Sequence, residues 1–179
     1  MTIDDITDKI VELTGLLLNM DINTGLIRQA YATDGQPFQA IAEDVIYVYA
    51  MAVDDAINKQ IDSEYLDSTG TLVSQNLSYT RVISVQWVFY GDSYLENAEK
   101  LRLRLFNSVA QEFCELNNLK LIPNVYEIKR NNELFQGRWW KRCDFMAQFN
   151  NNYSDQIDVE TIGTVEIDLN NRNIEIIEN

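Results

Sequence analysis

The sequence predicts an α+β fold, a mostly antiparallel sheet with one long helix and an amino-terminal helix packed on one face. Three observations carry this. Over 77–90, Leu77, Tyr79, Ile83, Val85, Trp87 and Phe89 alternate with Ser78, Thr80, Ser84 and Gln86, the two-residue period of a strand with one buried face. Over 93–117 the period changes to that of a helix: Leu101, Leu105, Val109, Phe113 and Leu116 form one stripe, and Leu103, Phe106, Ala110 and Cys114 a second beside it. The order of helix, strands, long helix, strands then points to segregated helices on an antiparallel sheet, without the regular alternation of a parallel one.

Each element has its own local reason. Ile6, Ile10, Leu13 and Leu17 lie at helical spacing with acids at the start, giving an amphipathic amino-terminal helix within 1–20. A strand follows at 26–32, and Asp34-Gly35-Gln36-Pro37 turns the chain. The run VIYVYAMAV over 45–53 is apolar, β-branched and aromatic, which predicts a strand covered on both faces. Residues 54–74 are acidic and polar with sparse apolar positions, and read as a loop or extended arm. Arg81 interrupts the apolar face of the 77–90 strand, so it is expected at the sheet margin, its charge reaching solvent or a carboxylate.

Gly91-Asp92 should turn the chain into the long helix, with Ser93 and Glu96 spaced as a capping box. More than half of that helix's circumference is apolar, so it needs more than one partner surface, and Arg102 is expected to pair with Glu99. Strands near 119–128, 139–149, 161–169 and 174–177 complete the sheet, with polar turns at Asn131-Asn132 and Asn150-Asn151-Asn152.

Composition limits function more than it defines it. The 179 residues suit one domain, 1–179, and 46% hydrophobic residues suffice for a packed core. The first ten residues hold Asp4, Asp5 and Asp8 against Lys9, the wrong charge for a secretory leader, and no apolar run reaches the ~20 residues that span a bilayer. A protein working in solution without a membrane is expected. Histidine is absent, which removes the commonest general base and transition-metal ligand. Cys114 and Cys143 are far apart and read as small buried apolar residues. The carboxylate pairs Asp4-Asp5, Glu43-Asp44 and Asp54-Asp55 lack calcium-loop spacing, and no serine elbow or phosphate-binding glycine loop occurs. No cofactor, metal or catalytic residue is therefore expected.

Charge is unevenly placed. Residues 1–75 carry a net −10 and 151–179 a net −6, while 76–150 carry +2 and most of the cations. Chains segregated in this way can dock head to tail on copies of themselves. Lys129-Arg130 and Arg138-Trp139-Trp140-Lys141-Arg142 interleave cations with rings, as single-strand nucleic-acid binders do. A total of −14 opposes long-range attraction to DNA, so these residues read as a core strand with a protein-binding rim.

The run RVISVQWVFYGDSYLENAEKLRLRLF (81–106), a long strand ending in Tyr-Gly before a helix, resembles the neck and tail terminator proteins of tailed bacteriophages. So does RWWKRCDFMAQFNNNYSDQIDVETIGTVEIDL (138–169), as does the Gln36-Pro37 loop before an apolar strand. The similarity covers about 25–170 as patterns of residue class, and the polar length of 54–74 departs from it. It implies a virion protein, assembled in the host cytoplasm, that forms a homo-oligomeric ring, expected to be a hexamer. The ring would sit between the head connector or a head-completion protein and the tail tube protein, ending tube growth and letting DNA through without specific binding. No active site comes with it.

A ring reading assigns candidate surfaces. The cations Arg102, Arg104, Lys129, Arg130, Arg138 and Arg142, with Trp140, are candidates for the contact with a neighbouring subunit or partner. The acids Asp54, Asp55, Asp62, Glu64 and Asp67 are candidates to line the lumen or meet the tail tube, where like charge keeps DNA from sticking. Competing readings are another virion adaptor, such as a head-completion or minor tail protein; an acidic enzyme using Asp54 or Asp55; and a monomeric module that binds host proteins.

Overall fold

The computed structural model describes residues 1–31, 40, 42–66, 72–160, 164–169 and 172–177. In chain order the elements are α1 (Ile3–Leu18), β1 (Ile27–Gln29), β2 (Ile46–Val53), β3 (Asp62–Tyr65), β4 (Leu72–Tyr90), α2 (Tyr94–Arg104), α3 (Ser108–Leu116), β5 (Leu119–Ile122), β6 (Lys129–Arg130), β7 (Glu133–Phe135), β8 (Arg138–Trp140), β9 (Arg142–Glu160), β10 (Thr164–Leu169) and β11 (Arg172–Ile177). The main sheet runs β1-β2-β4-β9-β5, with β3 added to β4 and β6 to β9. Its pairings are antiparallel except β1 with β2. The expected α+β class holds, with three helices. β7–β8 and β10–β11 are separate two-stranded hairpins.

β4 and β9 are each 19 residues long and pair along their whole length, from Leu72 opposite Glu160 to Tyr90 opposite Arg142. The pleat puts alternate residues on opposite faces. Ile83, Val85, Trp87 and Phe89 of β4 therefore share a face with Phe149, Ala147, Phe145 and Cys143 of β9, and all are buried. Ile46, Val48 and Ala50 of β2 extend that face. Against it pack Ile6, Ile10, Leu13 and Leu17 of α1, Ala98 and Leu101 of α2, and Ala110 and Cys114 of α3. Trp87 stacks on Phe145 with ring centroids 5.3 Å apart, and its indole N–H donates to the buried Thr14 hydroxyl at 2.9 Å. That bond ties α1 to the centre of the sheet.

Several expectations are corrected. β2 is buried on one face only: on the other, Tyr47 meets the Tyr90 ring, but Tyr49 and Met51 are exposed because no helix among the described residues covers that side. The long helix is two helices. Asn107 interrupts it, its side chain accepting from the Ala110 N–H at 2.8 Å as an N-cap, while the N–H groups of Phe106 and Asn107 reach back only three residues. Ser93 sits at the N-cap of α2 but makes no side-chain cap bond; its N–H donates to Asp44 Oδ1 at 2.8 Å instead. The turn there depends on Gly91, at φ +99, where a Cβ would collide with the backbone of Glu43 and Asp44. A capping box does form on α1, where Thr2 and Asp5 bond reciprocally.

Asn150-Asn151-Asn152 is not a turn. β9 runs straight through it, opposite Thr80–Val82. Asn151 is buried because it has polar partners: its amide donates to the Asn118 carbonyl at 2.8 Å, and its Oδ1 accepts from Arg81 Nε at 3.2 Å. Arg81 also donates to the Met1 carbonyl at 2.9 Å and lies 4.8 Å above the Tyr153 ring. An amide and a carbonyl thus take the place of the expected carboxylate. Within 54–66, residues 56–59 form a turn of 3-10 helix and 62–65 form β3 against β4, so part of the expected loop is ordered strand. The Asp34–Pro37 turn and residues 67–70 lie outside the described residues. The two cysteines are free and buried, and burial pushes the Cys143 thiol up to about 12 and that of Cys114 up to about 11.

Trp87→Phe removes both volume and the donor to Thr14, and is expected to lower unfolding free energy by about 1–3 kcal/mol in urea titrations. Thr14→Val added to it should cost much less than Thr14→Val alone; full additivity would show that the two side chains are not coupled.

Candidate assembly surfaces

The sheet face away from the helices carries a packed aromatic and ionic cluster. β7 and β8 form a tight hairpin whose loop residues Gln136 and Gly137 both have positive φ, as a two-residue hairpin turn requires. It brings Trp140 edge-on to Tyr90 (6.3 Å) and to Phe135 (6.0 Å), and Tyr90 is edge-on to Tyr47 (5.9 Å). Arg142 secures the base of the hairpin: Nη1 meets Glu133 at 2.7 Å, while Nε and Nη2 hold the two oxygens of Asp144 at 2.8 and 3.1 Å. Glu133 also accepts from the Tyr90 hydroxyl at 3.1 Å. The Asp144 hydrogen bonds hold the Arg142 guanidinium well above its ordinary value, and burial raises the Tyr90 hydroxyl to about 12 against the opposing pull of Arg142. Both groups are locked in the forms they have at neutral pH.

The candidate cations fall into two sets. Arg102 pairs with Glu127 at 3.0 Å, a correction to the expected Glu99 partner, because its side chain reaches across to the segment after β5. Arg104 donates to the Leu17 carbonyl at the end of α1. With Arg142, these bind elements of one subunit together. Lys129, Arg130 and Arg138, by contrast, are exposed and have no ion pair among the described residues; Lys120 on β5 is in the same position. Lys120, Lys129 and Arg130 lie on strands paired to the outer edge of β9. Trp140 is half-buried in the aromatic cluster, whereas Trp139 is 68% exposed on the hairpin. The Arg138–Arg142 segment is therefore a hairpin strand leading into β9, and not the core strand expected.

The candidate acids lie elsewhere. Asp54 pairs with Lys59 at 3.3 Å, and Asp55 caps the following 3-10 turn through the Ile57 N–H. Asp62 and Glu64 project from β3, both exposed, and Asp67 lies outside the described residues. β3 belongs to an arm that the sequence reading placed, as a loop or arm, within 54–74 but did not extend to 152–160: 72–80 and 152–160 continue the long ladder past the helices, with β3 as a third strand. At ~3.4 Å per residue the arm extends ~30 Å. Its described residues, 62–66, 72–80 and 152–160, contain five acids and no Lys or Arg.

Among the described residues no three Cys, Asp or Glu side chains gather to hold a metal, and no helix is long and apolar enough to cross a membrane. The described residues thus form a helix-backed sheet with a projecting acidic arm and a separate basic edge. The model of the phage neck terminator protein family matches residues 4–173, nearly the whole chain, and this protein belongs to that family. It is a structural protein of the phage neck, hence of the virion, and not an enzyme. No curated protein matches the sequence.

Arg142→Lys keeps the charge but loses the two-point hold on Asp144, and is expected to cost about 1–3 kcal/mol in chemical denaturation. Since Tyr90 has a raised folded value, its protonated form favours the fold. Stability should hold up to about pH 10, the ordinary tyrosine value, and fall as pH approaches 12. Unfolding measured against pH, with Tyr90→Phe showing a shallower fall, checks this.

Proposed function

We propose that copies of this chain close into a ring of six at the head–tail junction. There the ring ends the tail tube and joins it, through the tail tube protein on one side, to the head connector or a head-completion protein on the other. Assembly takes place in the host cytoplasm, and DNA passes through the finished ring without specific binding. The observation that carries this reading is the separation of unpaired charge. Lys129, Arg130 and Arg138 stand exposed on β6 and β8, whereas the arm carries acids alone. A ring needs a heterologous contact, in which one patch meets a different patch on the next copy. Opposite charge steers such patches together and sets their register.

The candidate residues divide accordingly. Lys129, Arg130, Arg138 and Trp140 face the neighbour or partner, while Arg102, Arg104 and Arg142 shape the surface behind them. Asp54, Asp55, Asp62, Glu64 and Asp67 line the lumen or meet the tail tube, where their charge keeps passing DNA from adhering.

Native mass spectrometry over a concentration series, at low and high salt, tests the ring. A discrete closed oligomer that salt weakens is expected. A monomer under every condition would overturn self-assembly as the basis of the reading. Joint replacement of Lys129, Arg130 and Arg138 by Gln should weaken the oligomer at low salt by tenfold or more, and flatten its salt dependence.

A further inference from the structure

The two faces of the arm differ in kind. Register places Ser74, Asn76, Ser78 and Thr80 of β4, Asn152, Ser154, Gln156 and Asp158 of β9, and Asp62 and Glu64 of β3 on one face, which is polar up to Leu72 at its far end. The other face holds Val73, Leu77 and Tyr79, with Tyr153, Ile157, Val159 and Tyr65, and among them the polar pair Gln75 and Ser63, whose side chains hydrogen-bond at 2.8 Å. It continues the same pleat as Ile83, Val85 and Trp87, the face that the helices cover within the core. Beyond Arg81 and Asn151 that cover stops: Tyr65 is 65% exposed and Ile157 42% exposed. A sheet face with this pattern is built to be packed upon, yet among the described residues only Arg81, over the Tyr153 ring, lies on it from its own subunit, and no helix does.

A second apolar feature lies on the helix-bearing face of the sheet. Between α3 and β5 runs a groove of about 400 Å3, lined by apolar side chains, among them Leu105, Phe106, Leu119 and Leu121, and by the polar Gln111 and Glu115. Lys120 stands at it, on the strand edge that also carries Lys129 and Arg130. The arm's apolar face bears a single charge, Asp155 opposite Leu77, and the arm as a whole offers acids only. Both surfaces are largely apolar, Lys120 at the groove is opposite in sign to Asp155, and they are different patches of one chain, the condition for a head-to-tail contact.

We propose that the apolar face of the arm, through Tyr65, Leu77 and Ile157, packs over the α3–β5 groove of a neighbouring copy, with Asp155 facing Lys120. This rests on the ring reading and names the elements that make the ring's contact. It leaves the polar face, with Asp62 and Glu64, turned away from the neighbour.

The test places the photo-cross-linker benzoylphenylalanine at position 157 of the full-length protein. Cross-linked dimers are isolated after irradiation, and the joined peptides are identified by mass spectrometry. Cross-links from 157 into 105–123 of a second copy are expected, and none to that segment from the same probe at position 76 on the polar face. Ile157→Asp should weaken the oligomer by at least tenfold and leave the far-ultraviolet circular dichroism of the monomer unchanged, because the position lies outside the core. Cross-links from arm to arm would indicate a two-fold pair and overturn the proposal. An oligomer by mass without cross-links to 105–123 would overturn this contact and leave the ring standing. A monomer at every concentration, without cross-links, would overturn both.

Discussion

The unbroken register between β4 and β9 is the constraint on which everything else depends. Because the ladder has no bulge, the choice of face made at Trp87 and Phe145 is carried unchanged to Val73 and Val159 at its other end. Where helices cover that face it becomes the core, and where they stop it becomes a surface. The changeover falls at Arg81 and Asn151. A guanidinium and a buried amide, each satisfied by hydrogen bonds, close the open end of the core without the exposed apolar edge that aliphatic side chains would leave there.

On the opposite face the order of dependence is reversed. There the packing is local, and it is charge that holds it: Arg142 ties Glu133 of β7 to Asp144 of β9, and the aromatic rings of Tyr47, Tyr90 and Trp140 fill the space around it. Tyr90 and Arg142 in this cluster are pushed further from neutral pH, which suits a rigid joint and not proton transfer. The physical chemistry of the site and its membership of a structural neck family agree.

Much of the fold was legible in sequence because the two periodicities are strong where burial is strong. The 77–90 strand, the α1 stripe and the Gly91 turn were all readable from spacing alone. The errors have identifiable physical causes. Asn107 reads as one polar residue in an apolar helix, yet its short amide competes for the helix N–H groups and starts a new helix. Asn150–Asn152 carry the composition of a turn, but Asn151 is buried by partners, Arg81 and Asn118, that lie far away in sequence. The arm was expected within 54–74, but its extent into 152–160 was hidden for a similar reason. Its polar face dilutes the apolar signal, and only pairing with a distant strand reveals that Leu77, Tyr153 and Ile157 share one side. The charge partition along the chain was readable from the start; which cations are already paired within the subunit was not, since Arg102 and Arg104 find their partners through the tertiary fold.

The two long strands of the arm, β4 and β9, run in continuous antiparallel register, with the core sealed behind them, and that limits how the arm's reach can change over evolutionary time. Adding one residue to either strand would flip every side chain beyond that point to the opposite face, turning the apolar side outward and the acids inward. Insertions can preserve the amphipathic character only in steps of two residues, matched on β4 and β9, so arm length in this architecture is quantised at ~7 Å per step. Because Arg81 and Asn151 close the core where the arm begins, such steps could accumulate while the helix-covered body stays unaltered.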